Sequence, residues 1–387
     1  MIDLNATTDP LNGPGYDEFR NTVQRFIAAE ITPHHAQWER AGQVPRDLWL
    51  RAGELGLLCM TVPEDYGGAG VDFGYSAILV EEMARAGATG PLFYLHSDIV
   101  TPYLLHYGSE AQKQAWLPRM VRGEVIGAIG MTEPGAGSDL AGIRTRALRD
   151  GDDWVVNGQK IFISNGQIAD LVLLAAKTDP ELGARGASLF LVDADRPGFS
   201  RGKALEKIGM HAQDTSELFF TDLRLPADHL LGDEGSGFRY MMTELPQERL
   251  LVAITAVSAM EAGVSLTRDY LTQRQAFGAP LSDKQVLRHK LAQAYSNTLV
   301  ARSFLNDCLR KHLRGALDTV TASVAKAWTT EMQFTVLDEC AQMFGGYGYM
   351  REYPIARAWA DARIQRIYGG TTEIMKEIIA RGLFDAR

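Results

Sequence analysis

The sequence contains few cysteines, with only Cys59, Cys308 and Cys340 among its 387 residues. An odd number of widely spaced cysteines supports neither a disulfide framework nor a cysteine-based metal site. We therefore expect three buried free thiols in a reducing compartment, and we expect no metal.

Basic clusters and long apolar runs are absent as well. No apolar run reaches the ~18 residues of a membrane span, and Met1 to Asn5 lacks the start of a secretory signal. The formal net charge is -9, from 48 acidic and 39 basic residues. This balance argues against nucleic acid and anionic membranes as partners. The sequence predicts a soluble cytoplasmic protein with no membrane insertion.

Apolar periodicity divides the chain into three regions and predicts an α+β fold. Residues 1–124 are expected to form an N-terminal helical domain, residues 125–237 a β-domain, and residues 238–387 a C-terminal four-helix bundle. In the first region, Leu79 and Met83 share one helix face. Glu81 and Glu82 are expected to point away from that face.

The middle region is predicted to be largely antiparallel. Its strand-like runs are joined by connections too short to contain crossover helices. Asp150-Gly151 and Asn157-Gly158 are typical hairpin turn sequences.

The segment Glu244–Leu250 is expected to open the first long C-terminal helix, because Pro246 suits a first helical turn. Glu248 would then lie near the helix N-terminus. A purely structural interpretation is that its charge complements the helix dipole.

A glycine-rich loop, Met131–Asp139, follows the first apolar run of the middle region. It is not a dinucleotide-binding fingerprint, because the third glycine position is Leu140 and a hairpin follows. The loop still supplies backbone N–H groups and the hydroxyls of Thr132 and Ser138. The alternative is a plain connecting loop.

Three later segments also combine polar side chains with permissive backbone. Arg274–Gly278 follows a long helix, and its arginine suits a phosphate, although the helix dipole also favours an exposed arginine there. Gln342–Tyr349 could equally be a tight helix–helix turn. In Tyr368–Ile374, Thr371 or Thr372 can cap a helix that begins after two glycines, and such an N-terminus readily holds an anion.

In combination, these segments resemble the acyl-CoA dehydrogenase family over almost the whole chain, from Leu57–Gly68 to Ile379–Arg381. Glu244–Leu251 and Leu95-His96-Ser97 bring the resemblance closest to the long-chain subgroup. The resemblance implies FAD bound between a β-domain and two helical domains.

The resemblance implies two sets of FAD contacts. The set within one chain is Met131, Thr132, Ser138, Phe162, Ser164, Thr371 and Glu373. The set that reaches the FAD of a neighbouring subunit is Arg274, Phe277, Gln342 and Gly346. A homo-oligomer, either a tetramer or a dimer, is therefore expected, and Ser138 is also expected near the pantetheine arm of the substrate.

One departure from the common family pattern concerns the catalytic base. Many members carry a glutamate directly after the tyrosine of the last motif, where this chain has Gly369. Long-chain and isovaleryl-type members place the glutamate on the helix after the β-domain, and Glu248 occupies that place. The resemblance thus implies that Glu248 removes the α-proton, while the Gly369 N–H and a ribityl hydroxyl of FAD bind the thioester oxygen.

The remaining substrate contacts are also implied by the resemblance. Arg249 is expected to orient the base or the carbonyl side of the site, and Tyr368 to contact substrate. Leu92 and His96 are expected at the floor of the acyl pocket, where the size of Leu92 favours medium chains.

The function implied is dehydrogenation of an acyl-CoA to a trans-2-enoyl-CoA, with an electron-transfer flavoprotein as acceptor. Dehydrogenases of carrier-protein thioesters share the same core and are an alternative. Flavin monooxygenases of this superfamily and a non-catalytic acyl-binding scaffold are disfavoured, because neither requires the base that Glu248 provides.

Overall fold

The computed structural model describes residues 9–384. The segment Met1 to Asn5, in which the sequence predicts no signal, lies outside the described residues.

The N-terminal region consists of helices, most of which share one apolar core, while α4 also packs into the core of the C-terminal helices. Asp72 caps α4 by accepting a hydrogen bond from the Gly74 N–H at 2.7 Å. Ser109 and Gln112 form a reciprocal capping box at the start of α6. The helices are α1 (Pro14–Phe26), α2 (His35–Ala41), α3 (Arg46–Glu54), α4 (Phe73–Arg85), α5 (Thr101–Tyr107) and α6 (Glu110–Val121), with π-helical turns at Ile27–Ile31 and Leu95–Val100.

Glu81 and Glu82 are not solvated, and the expectation that they point away from the core is wrong. They are 1% and 6% exposed. Arg302 donates to Glu81 at 2.5 Å, and Arg85 donates to Glu82 at 2.5 Å. A buried carboxylate is tolerated when it is paired with a cation and hydrogen-bonded. The Arg302–Glu81 pair joins α4 to a C-terminal helix, whereas Arg85 and Glu82 both belong to α4.

The middle region is a single sheet with the order β6-β7-β3-β2-β4-β5-β8. Most neighbours are antiparallel as predicted, but β1 pairs with β4 in parallel, and one residue pair joins β2 to β4 in parallel. The strands are β1 (Gly127–Gly130), β2 (Arg146–Asp150), β3 (Asp153–Ser164), β4 (Leu171–Lys177), β5 (Ala187–Asp193), β6 (Phe199–Ala204), β7 (Thr215–Leu225) and β8 (Leu230–Leu231).

One of the two predicted hairpin turns is wrong. The hairpin at Asp150-Gly151 is present between β2 and β3, whereas Asn157 and Gly158 lie inside β3 at a shift in its register with β7. Gly158 has φ +155°, and a Cβ there would lie 2.4 Å from Thr145 Oγ1. The glycine therefore permits a β-bulge and a close strand approach instead of a turn.

The C-terminal region forms the expected helical bundle and contains five α-helices among the described residues. The long helices α7, α8 and α9 pack on one another, and the two shorter helices both pack against α9. The bounds are α7 (Gly237–Gln273), α8 (Gln285–Leu313), α9 (Thr319–Met343), α10 (Pro354–Gln365) and α11 (Thr372–Phe384), with the short strands β9 (Gln275–Ala276) and β10 (Ala279–Pro280) between α7 and α8.

Helix α7 begins earlier than the sequence predicts. It starts at Gly237, so Pro246 lies inside it and Glu248 is in its interior rather than near its N-terminus. Proline removes one helical hydrogen bond to the carbonyl of Met242. The packing of this largely buried helix outweighs that loss, and the dipole interpretation of Glu248 therefore does not apply.

Helix α7 is also the core helix of the molecule. It is the one helix within residues 9–384 that is long and apolar enough to cross a membrane, and 67% of its most apolar window is buried in the fold. All three cysteines are free and buried, as expected.

Candidate active site

A cavity of about 370 Å³ lies where the three regions meet. It brings together ten of the residues that the sequence analysis selected, although they span some 280 positions of the chain: Leu92, Met131, Thr132, Ser138, Phe162, Ser164, Glu248, Arg249, Tyr368 and Gly369. We call it the active-site cavity.

The β wall of this cavity is set by a bend in β3. Phe162 has φ +62° at a register shift between β3 and β7, and its ring is 64% exposed. Beside it, the buried Lys160 donates to Glu133 Oε1 at 2.8 Å and to the Met131 carbonyl at 3.0 Å. These bonds hold the start of the glycine-rich loop against β3, and they leave an aromatic ring facing the cavity.

Glu248 is the carboxylate of the cavity. It is 8% exposed, and its Oε1 accepts a hydrogen bond from Tyr103 Oη at 2.9 Å. Burial raises its pKa to about 7, with a further upward contribution from Glu244, while the Tyr103 hydrogen bond and the charge of Arg249 act in the opposite direction. A carboxyl group with this pKa can accept a proton efficiently near neutral pH.

Glu244 lies one helical turn before Glu248 and forms a matching contact. Its Oε1 accepts hydrogen bonds from Tyr107 Oη at 2.8 Å and from His106 Nδ1 at 2.9 Å. Two carboxylates at i, i+4 on α7 thus face two tyrosines at i, i+4 on α5. This arrangement keeps two negative groups close together in a buried wall.

Arg249 is the cation of the cavity wall. It is 3% exposed, and its Nη1 donates to Ser323 Oγ at 3.2 Å. Its Nε has no hydrogen-bond partner among the described residues. A buried donor without a partner is costly, so this face of the cavity favours an acceptor or a negative charge.

The glycine turn that lines the same cavity as Glu248 is anchored from α9. Gly369 and Gly370 have φ +63° and +94°, values that favour glycine. The buried Lys326 donates to the Gly370 carbonyl at 2.6 Å. Thr371 Oγ1 caps α11 by accepting from the Ile374 N–H at 3.3 Å, which confirms the predicted cap.

His96 is not at this cavity, and the expectation that it forms part of the pocket floor does not agree with the structure. It is fully buried in the N-terminal core, where its Nδ1 accepts from the Gly127 N–H at 3.0 Å. Its ring also packs edge-on against Trp49. Leu92 does line the cavity.

Two of the predicted flavin contacts, Thr371 and Glu373, do not line the cavity either. Thr371 is the helix cap next to it, and the Glu373 side chain is exposed.

The residues predicted to reach a neighbouring subunit form a separate surface, which we call the bundle-end patch: Arg274, Phe277, Gln342 and Gly346. All four are exposed, and the Phe277 ring is 93% exposed. The Arg274 guanidinium lies 5.5 Å from the ring centre of Tyr347. This contact brings two sequence-distant motifs to one end of the bundle.

Sequence reasoning missed three residues that shape the site, Tyr103, Glu244 and Lys326. The i, i+4 spacing of Tyr103 with Tyr107, and of Glu244 with Glu248, was a signal in the sequence. Lys326 gave no such signal, because a lysine in an apolar helix acquires a role only from what packs against it. Within residues 9–384, no group of three His, Cys, Asp or Glu side chains could hold a metal ion.

Comparison with known families identifies the class of protein that this fold and cavity define. Three family models cover the chain in order: the acyl-CoA dehydrogenase N-terminal domain over residues 14–124, the middle domain over 128–223 and the C-terminal domain over 235–384. The class is that of oxidoreductases acting on acyl-CoA thioesters. The chain belongs to the acyl-CoA dehydrogenase family.

Individual relatives agree with this assignment. The long-chain specific acyl-CoA dehydrogenase of Sus scrofa mitochondria is 53% identical over 368 residues, which is 95% of this chain and 86% of that protein. The crystal structure of an acyl-CoA dehydrogenase from Geobacillus kaustophilus is 49% identical, with a TM-score of 0.96 over 97% of this chain and 100% of that one. The resemblance to the long-chain subgroup is thereby confirmed.

The predicted cofactor is confirmed at the level of the family, whose members are FAD-binding flavoproteins. A glutaryl-CoA dehydrogenase from Mycobacterium smegmatis, 30% identical with a TM-score of 0.91, was solved in complex with FADH2; the match covers 98% of this chain and 97% of that one.

Proposed function

We propose that the chain dehydrogenates an acyl-CoA thioester between its α and β carbons, with Glu248 as the base. The observation that carries the proposal is the placement of Glu248 and Gly369 in the walls of one cavity. A carboxylate whose pKa is about 7 and a glycine turn at the N-terminal end of α11 provide what α-proton removal requires.

The walls of the cavity fit a flavin. Phe162 presents an exposed ring. Three residues with hydroxyl groups, Thr132, Ser138 and Ser164, line the same cavity. A Cβ at Gly135 or Gly137 would meet no atom within 4 Å, so the glycine-rich loop leaves open space beside the cavity. Bound FAD supplies the oxidising power, because its ring system accepts the β-hydrogen as hydride.

Glu248 takes the α-proton. The Cα–H bond breaks, an O–H bond forms on the carboxylate, and negative charge develops on the thioester oxygen. The Gly369 N–H, held in place by the turn that Lys326 anchors, is the donor that we assign to this oxygen. Arg249 supports the ionised form of Glu248 through its charge, and its free Nε offers a further donor in the same wall.

We expect the pH dependence of flavin reduction to follow the ionisation of Glu248. Below pH 7 the rate should fall about tenfold per pH unit, because the protonated carboxyl group cannot act as a base. In Glu244→Gln the neighbouring negative charge is lost while the Tyr107 and His106 contacts can be kept. The charge of Glu244 disfavours ionisation of Glu248, so its removal lowers the pKa of Glu248 and moves the acid limb to lower pH.

The groups that face this pair are Tyr103, Tyr107, His106 and Arg249. The measurement is the anaerobic rate of flavin reduction from pH 5 to 9, with Glu54→Gln as a control on an exposed carboxylate outside the cavity. An acid limb that stays in place in Glu244→Gln would show that the two carboxylates are not coupled.

The bundle-end patch is proposed to contact the FAD of a neighbouring subunit, so that cofactor retention depends on a homo-oligomer, either a tetramer or a dimer. The support is a set of exposed residues outside the active-site cavity, with Arg274 suited to a phosphate.

Arg274→Ala should therefore release FAD and weaken the oligomer, which absorbance at flavin wavelengths combined with light scattering would detect. Arg268→Ala, which removes a partly exposed arginine near the end of the same helix, is the matched control. A variant Arg274→Ala that remains fully flavinated as a monomer would contradict the assignment.

The proposal also covers the carrier of the thioester and the electron acceptor. We propose a CoA thioester, with Ser138 near its pantetheine arm, and an electron-transfer flavoprotein as acceptor. The predicted cytoplasmic location stays a prediction, and the long-chain relatives are named as mitochondrial.

The proposed function is tested by anaerobic titration of the enzyme with matched CoA and carrier-protein thioesters, in which bleaching of the flavin is measured. Bleaching by neither thioester would refute the proposed function.

A further inference from the structure

A second and smaller cavity lies behind the active-site cavity. Leu92, Tyr94 and Tyr368 line both, so the two spaces are neighbours across these three side chains. The second cavity measures about 40 Å³, which is room for about one to three water-sized groups. We call it the rear cavity. Its wall includes residues of α4, of the segment 88–94 that follows α4, and of α10.

The rear cavity is walled mostly by apolar side chains but contains hydrogen-bonding groups that no protein atom satisfies. Gln365, the last residue of α10, is 5% exposed, and its Oε1 has no hydrogen-bond partner among residues 9–384. The buried Oη of Tyr368 lies near the Tyr94 hydroxyl but has no partner at full hydrogen-bond geometry. Unpaired polar atoms at such depth are uncommon and costly, so each is a place where a ligand or water can gain a hydrogen bond.

Among the other polar groups of the rear cavity, the Tyr94 hydroxyl is the neighbour of Tyr368 Oη, and the remaining groups have partners. Thr89 Oγ1 donates to Asp361 Oδ2 at 3.1 Å, and Thr255 Oγ1 donates to the Leu251 carbonyl at 3.0 Å. The second oxygen of Asp361 accepts from the Met210 N–H. No lysine, arginine or histidine lines this space.

The polar groups of the rear cavity determine which chemical group could bind there favourably. A hydroxyl can donate to Gln365 Oε1 and accept from Tyr368 Oη. A methyl group would leave Gln365 Oε1 unpaired and would offer no acceptor to Tyr368 Oη. A carboxylate would meet the carboxyl group of Asp361 with no cation in the wall, and burying an unpaired charge is costly.

We propose that the rear cavity is a recognition site for a hydroxyl group at the distal end of the acyl chain, with Gln365 and Tyr368 as its hydrogen-bonding residues. The proposal rests on the proposed function, because it places the acyl chain between Glu248 and Leu92. It adds a specificity determinant for the end of the substrate that does not react.

The test uses the FAD-loaded enzyme and a chain-length series of acyl-CoA thioesters that end in a methyl, a hydroxyl or a carboxyl group. At the chain length that reaches the rear cavity, kcat/KM for the hydroxyl-terminated substrate should exceed that for the methyl-terminated one by about tenfold, which corresponds to one buried hydrogen bond. The carboxyl-terminated substrate should be the poorest. S-alkyl-CoA thioethers with the same ends, which lack the carbonyl needed for reaction, should show the same order in calorimetric Kd.

Two variants and one control separate recognition from general damage. Gln365→Leu should abolish the preference for the hydroxyl, and Tyr368→Phe should reduce it, which keeps the test available should the first variant fail to fold. Gln333→Leu removes another buried glutamine with an unpartnered Oε1, 1% exposed and outside both cavities, and should keep the preference.

The outcomes distinguish failure of the proposed function from failure of the rear-cavity proposal. Failure of every thioester to bleach the flavin would refute the proposed function. Normal turnover of methyl-terminated substrates with no hydroxyl preference at any chain length would overturn the rear-cavity proposal alone. A preference that survives in Gln365→Leu would also overturn it, as would a ligand complex in which the rear cavity holds only water.

Discussion

Glu248→Gln should bind FAD and acyl-CoA normally but lose flavin reduction by at least ~10²–10⁴-fold, the usual cost of removing a general base. The amide keeps the volume of the carboxylate, and its oxygen can still accept the hydrogen bond from Tyr103 Oη. It cannot accept the α-proton. The measurement is anaerobic stopped-flow flavin reduction at saturating substrate, together with the flavin content of the purified variant.

Glu244→Gln is the matched control for this result, because it makes the same chemical change one turn earlier on the same face of α7. It should retain reduction near its own pH optimum. Reduction by Glu248→Gln within a factor of a few of the wild-type rate would overturn the assignment of the base.

Exchanging the base between its two positions should restore part of the activity. Glu248→Gly should be inactive, and adding Gly369→Glu should return measurable flavin reduction, because the glycine turn and Glu248 line the same cavity. A Cβ at Gly369 would meet Val252 Cγ2 at 3.8 Å, an ordinary contact, so space for a side chain exists.

The rescue should remain well below wild-type activity for two reasons. The φ of Gly369 is +63°, and a residue with a Cβ in that region is strained by roughly 1–2 kcal/mol. A displacement of the carboxylate by about 1 Å can cost a further ~10²-fold. The comparison is between Glu248→Gly alone and the double variant by stopped-flow reduction. A double variant that is loaded with flavin yet inactive would contradict the prediction that a glutamate at position 369 can replace Glu248. It would leave the assignment of Glu248 as the base intact.

Much of the fold was predictable because its signals are local. The change from helical periodicity to short strands and back again follows from the spacing of apolar residues, and the cap at Thr371 follows from a polar side chain after two glycines. The errors arose where local rules compete with packing. Asn157-Gly158 has the composition of a turn but forms a bulge against Thr145, and Pro246 has the composition of a helix start but lies inside α7.

Burial of polar residues was the least predictable part of the candidate site. His96 lies in a motif that supports the family resemblance. Its Nδ1 nevertheless accepts a hydrogen bond from the Gly127 N–H, and its ring packs on Trp49 within the core. Glu81 and Glu82 look like a solvated helix face until Arg302 and Arg20 are brought to them from other segments. No periodicity along a single segment contains that information.

The sequence by itself determined which residues are able to do chemistry here: a glutamate at 248, a glycine at 369 and a loop rich in small and hydroxyl residues at 131–139. These are properties of residue type and order, and they are sufficient to indicate the family. Only the tertiary structure decided the environment in which those residues act. The pKa of Glu248 is about 7 because α5, α7 and the rest of the cavity wall exclude water from it and place Glu244 nearby. The Gly369 turn is held because Lys326 reaches it from α9. Solvation and proximity depend on segments far apart in the chain, so they exist only once the chain has folded.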